Sequence, residues 1–272
     1  MTIRNRAAWM IAVIISVSFF SCQPNNIENE DEAWGKFFTD NHVKGTFALY
    51  DNGHGTFSIS NIGWYKDSAF LPASTFKIVN SLVGIETGII NNENMVIKWD
   101  GVQRRPEWDK DLTMKDAFAV SAVPYYQEVA RRIGKDTMQF WLDSLHYGST
   151  KITSKIDSFW LDNSLKITPD EQLGLVEALY FGKLPFQKRT MDIVKKVMLR
   201  ENNTAYQLSY KTGYGYAPNG NAIGWVVGWI EENKHAFFFV LNIEGDSNMD
   251  NKLTVKMLKD LLNTKSLLYG KQ

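Results

Sequence analysis

The chain has 272 residues, in which 30 lysines and arginines balance 30 aspartates and glutamates, with 44% hydrophobic residues, 13% aromatic residues and one cysteine. A formal charge of zero offers no basic stripe for nucleic acid, and the apolar content excludes a disordered chain. A single cysteine excludes an intramolecular disulfide or a thiolate metal cluster.

The first 21 residues stand apart from the rest. Arg4 and Arg6 form a short basic region, the run from Ala7 to Phe20 is almost wholly apolar, and Ser21 precedes Cys22. The run is shorter than the roughly 20 residues of a membrane span and reads as a signal peptide. A small residue directly before the lone cysteine resembles a bacterial lipoprotein cleavage site, in which Cys22 becomes the lipidated first residue. Residues 22–32 are polar, acidic and aperiodic, and read as a flexible tether; residues 33–272 read as one folded unit beginning near Trp34. The expected location is therefore the periplasm-facing cell envelope, with the membrane reached only through a lipid anchor at Cys22.

Within the folded unit, alternating apolar residues on both sides of Asp51-Asn52-Gly53 predict a hairpin over Gly45 to Ser60. Helical patterns follow at Phe76–Ile85, Tyr125–Ile133, Met138–Ser144 and Pro169–Phe181. The last opens on Thr168-Pro169-Asp170-Glu171, a capping threonine, a first-turn proline and a capping-box glutamate. Strand-like runs at Tyr206–Thr212, Ala222–Glu231 and His235–Glu244 are separated by turns at Pro218-Asn219-Gly220 and Glu232-Asn233-Lys234, the pattern of an antiparallel meander. A final helix is expected over Asn251–Leu262, with Leu253, Met257, Leu258 and Leu261 on one stripe. Strands at both ends with helices between them predict an α/β fold of the α+β type: an antiparallel β-sheet flanked by helices, with an inserted helical lobe.

Three short patterns carry chemistry. In Ser74-Thr75-Phe76-Lys77 the serine opens a helical run and the lysine lies three residues on, on the same face. A lysine whose pKa is lowered by burial can take the serine proton, and helix N-terminal N–H groups can stabilise developing negative charge. Ser121-Ala122-Val123 lies at a break before a helix. Lys211-Thr212-Gly213 ends a strand, where it offers a cation, a hydroxyl and a residue without a side chain that permits close approach. Each is weak alone, since Ser-x-x-Lys arises roughly once by chance in a chain this long.

The order and spacing of the three resemble class D β-lactamases, the oxacillinase type. The resemblance covers nearly all of the chain after Cys22 and includes Lys98-Trp99-Asp100-Gly101, Tyr125-Tyr126-Gln127-Glu128, Ala130-Arg131-Arg132-Ile133-Gly134, Phe159-Trp160-Leu161 and Gly224-Trp225-Val226-Val227-Gly228-Trp229. A class A enzyme shows Ser-Asp-Asn where this chain has Ser121-Ala122-Val123.

The resemblance implies a β-lactamase/transpeptidase-like fold and hydrolysis of penicillin-type β-lactams through an acyl-enzyme on Ser74. It implies that Lys77 becomes N-carboxylated by carbon dioxide or bicarbonate and serves as the base, with no other cofactor and no metal. It assigns Trp160 to hold the carbamate and Ser121 to relay a proton to the leaving nitrogen. Lys211, Thr212 and Gly213 would bind substrate beside Val123, and the N–H groups of Ser74 and Tyr214 would form the oxyanion hole. Apolar neighbours such as Phe76, Val123 and Leu161 would bury Lys77.

Two departures stand out. Tyr147-Gly148-Ser149 replaces the family's Tyr-Gly-Asn, and the arginine expected near the start of the last helix has no match, Lys252 lying closest in register. Carboxylate recognition is therefore expected to rest more on Lys211 and Thr212. The four histidines, His42, His54, His146 and His235, show no metal-ligand spacing and read as surface or loop residues. Glu171 reads as a cap, and Trp225 as strand core able to line the cleft. Two alternatives share the motifs: a penicillin-binding transpeptidase and a β-lactam sensor domain, both acylated without turnover. Ser-x-Val with Phe159-Trp160-Leu161 argues against the first, and a single apolar N-terminal segment against the second. Neither oligomeric state nor substrate breadth is readable.

Overall fold

The computed structural model describes residues 27–30 and 32–269. The expected signal peptide and Cys22 lie outside the described residues. The strands are β1 (Ile27–Glu30), β2 (Lys44–Asp51), β3 (Thr56–Ser60), β4 (Val96–Ile97), β5 (Leu112–Thr113), β6 (Leu199–Asn202), β7 (Gln207–Tyr216), β8 (Ala222–Glu232) and β9 (His235–Gly245). The helices are α1 (Glu32–Asp40), α2 (Ile62–Asp67), α3 (Lys77–Glu86), α4 (Met114–Ala119), α5 (Val123–Ile133), α6 (Lys135–Leu145), α7 (Pro169–Tyr180), α8 (Lys188–Met198) and α9 (Leu253–Thr264), with a 3-10 turn at Ala73–Phe76 leading into α3.

Because side chains alternate across a strand, the apolar runs of β8 and β9 supply two cores at once. Trp225, Val227 and Trp229 of β8 join Phe238 and Val240 of β9 on the face covered by the helical lobe. Val226 and Ile230 join Phe237, Phe239, Leu241 and Ile243 on the opposite face, against Trp34 and Phe38 of α1 and Met257, Leu258, Leu261 and Leu262 of α9. The Trp34 indole N–H donates to the Thr264 hydroxyl at 2.8 Å and ties α1 to α9. The seven strands run in the order β1-β3-β2-β9-β8-β7-β6, so strands from before and after the helical segment share one sheet and residues 62–198 form the inserted lobe. Every pair is antiparallel except β1 with β3, which is parallel. Among the described residues no helix is long and apolar enough to cross a membrane.

Several boundaries differ from the sequence reading. Ile27–Glu30, expected within the tether, pairs with β3. Strand β7 continues past Thr212 to Tyr216, because Gly213, Tyr214 and Gly215, which look like a break, pair with Trp225, Gly224 and Ile223 of β8. Helices α1, α2, α4 and α8 were not anticipated: α2 and α4 span only six residues each, α1 buries only Trp34 and Phe38, and α8 has no side-chain cap at its start. The capping box of α7 forms as read, with Thr168 N–H donating to Glu171 Oε2 at 2.8 Å and Glu171 N–H to Thr168 Oγ1 at 3.2 Å.

Candidate active site

The turn carrying Ser74 is held from several sides. The Trp225 indole donates to the Leu71 carbonyl at 2.9 Å, the Ala73 N–H to the Trp160 carbonyl at 3.1 Å, and the Gln172 amide to the Thr75 hydroxyl at 2.6 Å, which itself donates to the Pro72 carbonyl at 2.7 Å. Ala73 has φ of 48°, a left-handed conformation that costs a residue with a Cβ free energy and persists only where its surroundings impose it. The turn runs directly into α3, whose first residue is Lys77. Its ammonium Nζ lies 2.8 Å from Ser74 Oγ.

Lys77 is 1% exposed, makes no ion pair with a carboxylate among the described residues, and has its Nζ 5.5 Å from the centre of the Tyr126 ring. Burial pulls its pKa down from 10.5 to about 7. A large neutral fraction is therefore present at physiological pH, and a neutral amine can accept a proton.

A second lysine–serine pair faces the first. Ser121 follows α4 with φ of 54°, again left-handed, and precedes α5, whose first residue is Val123. Lys211 of β7, also 1% exposed, donates to Ser121 Oγ at 2.5 Å and to the Thr212 carbonyl at 2.9 Å. Burial pushes its pKa well below 10.5, with the nearby charges of Lys77 and Arg200 acting in the same direction.

Strand β7 completes the site. Strand β6 pairs with it only as far as Ser209, and farther along β7 Gly213 and Gly215 border the Ser74 turn instead. A Cβ on Gly213 would lie 2.9 Å from the Pro72 carbonyl and 3.3 Å from the Thr75 nitrogen; a residue without one is required for that approach. Ser74, Ser121, Val123, Leu161, Thr212, Gly213, Tyr214 and Lys252 line one cleft of about 670 Å³. Lys77, Lys211 and Trp160 lie behind it. The Trp160 indole N–H is buried without a hydrogen-bond acceptor among the described residues, its ring stacked 5.3 Å from that of Phe76.

The structure thus brings together all the residues singled out by the motifs. Trp225 differs from the reading that it can line the cleft, being fully buried beneath the Ser74 turn. Ser149 occupies the variant position of Tyr147-Gly148-Ser149 without disrupting it, exchanging hydrogen bonds with the Lys166 backbone at 2.8 and 3.2 Å. At the start of α9 three lysines line the cleft. Lys256 pairs with Asp260 and Lys259 with Glu201, whereas Lys252 makes no ion pair among the described residues.

Arg105 and Trp108 of the cleft rim were not anticipated; the Trp108 indole donates to the Val120 carbonyl, next to Ser121, at 2.9 Å. Nor was Arg200, largely buried between Phe118 and Tyr210. Only the fold places Arg105 and Trp108 at the cleft and Arg200 near Lys211. A second cavity of about 350 Å³ between the β4–β5 region and α5 contains none of the expected chemistry. His54 and His235 do not stand alone as expected: both contact Asp51, far from the cleft.

Residues 39–263 match the penicillin binding protein transpeptidase domain family. The chain is 35% identical over 244 residues to Beta-lactamase OXA-11 of Pseudomonas aeruginosa, covering 89% of this chain and 91% of that one. The crystal structure of FUS-1 (OXA-85), a class D β-lactamase from Fusobacterium nucleatum subsp. polymorphum, is similar with a TM-score of 0.84 at 33% identity, over 88% of this chain and 100% of that one. The C-terminal domain of the Bacillus licheniformis BlaR penicillin-receptor is similar at 30% identity, with a TM-score of 0.83, over 89% of this chain and 97% of that one. With two lysine–serine pairs converging on one cleft beside a Lys-Thr-Gly strand, this chain belongs to the class D (OXA-type) β-lactamase family.

Proposed function

We propose that the protein hydrolyses β-lactam antibiotics through an acyl-enzyme on Ser74. The observation that carries this reading is the Lys77 Nζ 2.8 Å from Ser74 Oγ, on an amine whose burial makes it a base near neutrality.

Ser74 Oγ attacks the lactam carbonyl as its proton passes to the base at Lys77. The N–H groups of Ser74 and Tyr214 receive the oxyanion. Ser121, held by Lys211, relays a proton to the departing ring nitrogen. Lys211 and Thr212 bind the substrate carboxylate, with Lys252 contributing a further, single-point contact because a lysine lacks the arginine fork.

Lys77 fits N-carboxylation on two counts. A neutral amine is the form that adds to carbon dioxide, and the Trp160 indole N–H is a buried donor with no acceptor among the described residues. When present, the carbamate supplies a general base for both acylation and deacylation. Lys77 is the residue that carries it and Trp160 the residue that holds it in place. At Cys22, the Ser21-Cys22 pattern supports lipidation and attachment to a periplasm-facing membrane.

Intact-mass measurement after mixing with a penicillin tests the reading. Transient mass addition on the wild-type chain that disappears with product formation, and none in Ser74→Ala, is expected. Hydrolysis at the wild-type rate by Ser74→Ala would refute it. A mass adduct that never clears points instead to a penicillin-receptor role, the reading that the BlaR likeness keeps in view.

A further inference from the structure

The β2–β3 turn carries a polar cluster separated from the serine cleft by the width of the sheet, since β9 and β8 lie between β2 and β7. Asp51 ends β2, His54 lies in the turn, and His235 opens β9. Strand register brings them together: Asp51 stands opposite Phe237 on β9, two residues from His235. His54 Nδ1 lies 2.7 Å from Asp51 Oδ2, and His235 Nε2 lies 2.6 Å from Asp51 Oδ1. One donor atom from each of the three residues falls within 4.8 Å of the others.

The surroundings hold this arrangement. The His235 ring stacks on Phe237 at 4.5 Å and 4°. A Cβ on Gly53 would lie 2.2 Å from His235 Cε1, so the absence of a side chain there is what lets the imidazole reach Asp51. Burial raises the Asp51 pKa, but hydrogen bonds from His54 and His235 more than offset it and keep the carboxyl below its ordinary range. An ionised carboxylate thus sits between two imidazole nitrogens.

We propose that Asp51, His54 and His235 form a binding site for a divalent transition-metal ion of the zinc type. Two imidazoles and one carboxylate suit Zn²⁺, Co²⁺ or Ni²⁺, whereas Mg²⁺ and Ca²⁺ take oxygen ligands. Metal–ligand bonds of about 2.0–2.2 Å require the nitrogens and the carboxylate to separate by a few tenths of an ångström. His54, whose side chain is 72% exposed, can make that shift, and water fills the remaining positions. Each imidazole binds as the neutral tautomer, with the ring proton on the nitrogen that faces away from the metal: His54 Nε2 and His235 Nδ1. Since His235 is 184 residues from Asp51 in sequence, only the folded chain presents the site, and the ion stabilises the fold by linkage.

The test uses the purified full chain after treatment with a chelator. One equivalent of Co²⁺ is expected to give saturable visible absorption that Zn²⁺ abolishes. Micromolar Zn²⁺ is expected to raise the melting temperature, and Mg²⁺ to leave it unchanged. His54→Ala is expected to keep the metal-free melting temperature of the wild type while losing at least tenfold in Co²⁺ affinity; His146→Ala is expected to bind as the wild type does. No saturable Co²⁺ spectrum, or wild-type binding in both His54→Ala and His235→Gln, would overturn the proposal.

Discussion

A lysine buried without a carboxylate partner is a standing cost to the fold, and Lys77 shows how large. Its pKa is the ordinary 10.5 in the unfolded chain and about 7 in the folded one. The penalty, on the order of 5 kcal/mol, is fully present below pH 7 and fades as pH rises toward 10.5, where the unfolded chain also loses its proton. Lys77→Met, which keeps the volume and removes the charge, should therefore unfold at higher urea concentration at pH 6.5 in bicarbonate-free buffer, with the gap narrowing by pH 9.5, while turnover is lost. A gap that widens with pH would contradict the assigned direction. Trp160→Phe keeps the ring that stacks on Phe76 but removes the orphaned donor. The bicarbonate concentration for half-maximal turnover should rise roughly tenfold, the worth of a hydrogen bond to a charged group; an unchanged requirement would remove Trp160 from the carbamate. Thr212→Ala should raise KM for a penicillin by about tenfold on the same argument, and an unchanged KM would show that carboxylate recognition lies elsewhere. Ser74, Lys77, Ser121 and Lys211 could be read from sequence because they fall in short, spaced patterns. Arg105, Trp108 and Arg200 fall in none; Arg105 and Trp108 reach the cleft, and Arg200 the neighbourhood of Lys211, only through tertiary folding.

Elements differ in what their sequences disclose. The capping box of α7 and the meander β7–β8–β9 were readable because Thr168, Pro169 and Glu171 have fixed positional roles and because β8 and β9 are apolar almost throughout. The extension of β7 was hidden by its glycines, which look like a break but serve the approach of strand to turn. Gly213→Val places methyl groups where a Cβ already meets the Pro72 carbonyl at 2.9 Å. Displacing the Ser74 turn by about 1 Å should lower kcat/KM on the order of 100-fold, with a clear loss of thermal stability. Activity and stability like the wild type would show that the strand and turn are not in the contact described. Ala73 and Ser121, two of the left-handed non-glycine residues, sit beside or at the two serines. No propensity argument selects alanine or serine for such a conformation, which is why the sequence does not reveal it.

At the scale of the molecule, one sheet separates a core beneath α1 and α9 from a core beneath the helical lobe, and most of the site is built on the lobe side. Phe239→Ala, in the core away from Ser74, should cost about 3–5 kcal/mol of stability and leave kcat/KM of the folded fraction near the wild-type value; a matching loss of kcat/KM would mean that the two layers are coupled. The layered architecture was readable from strands at both ends and helices between. The β1–β3 pairing and the Asp51–His54–His235 cluster were not, because each depends on which strands become neighbours. The central claim is that Ser74 is acylated and then released by a base built on Lys77. Rapid mixing of the wild-type chain with a chromogenic cephalosporin, with and without bicarbonate, tests it most directly. The account predicts steady turnover that rises with bicarbonate and falls away below pH 7 as Lys77 becomes protonated. A single stoichiometric burst with no turnover at any bicarbonate concentration would contradict it.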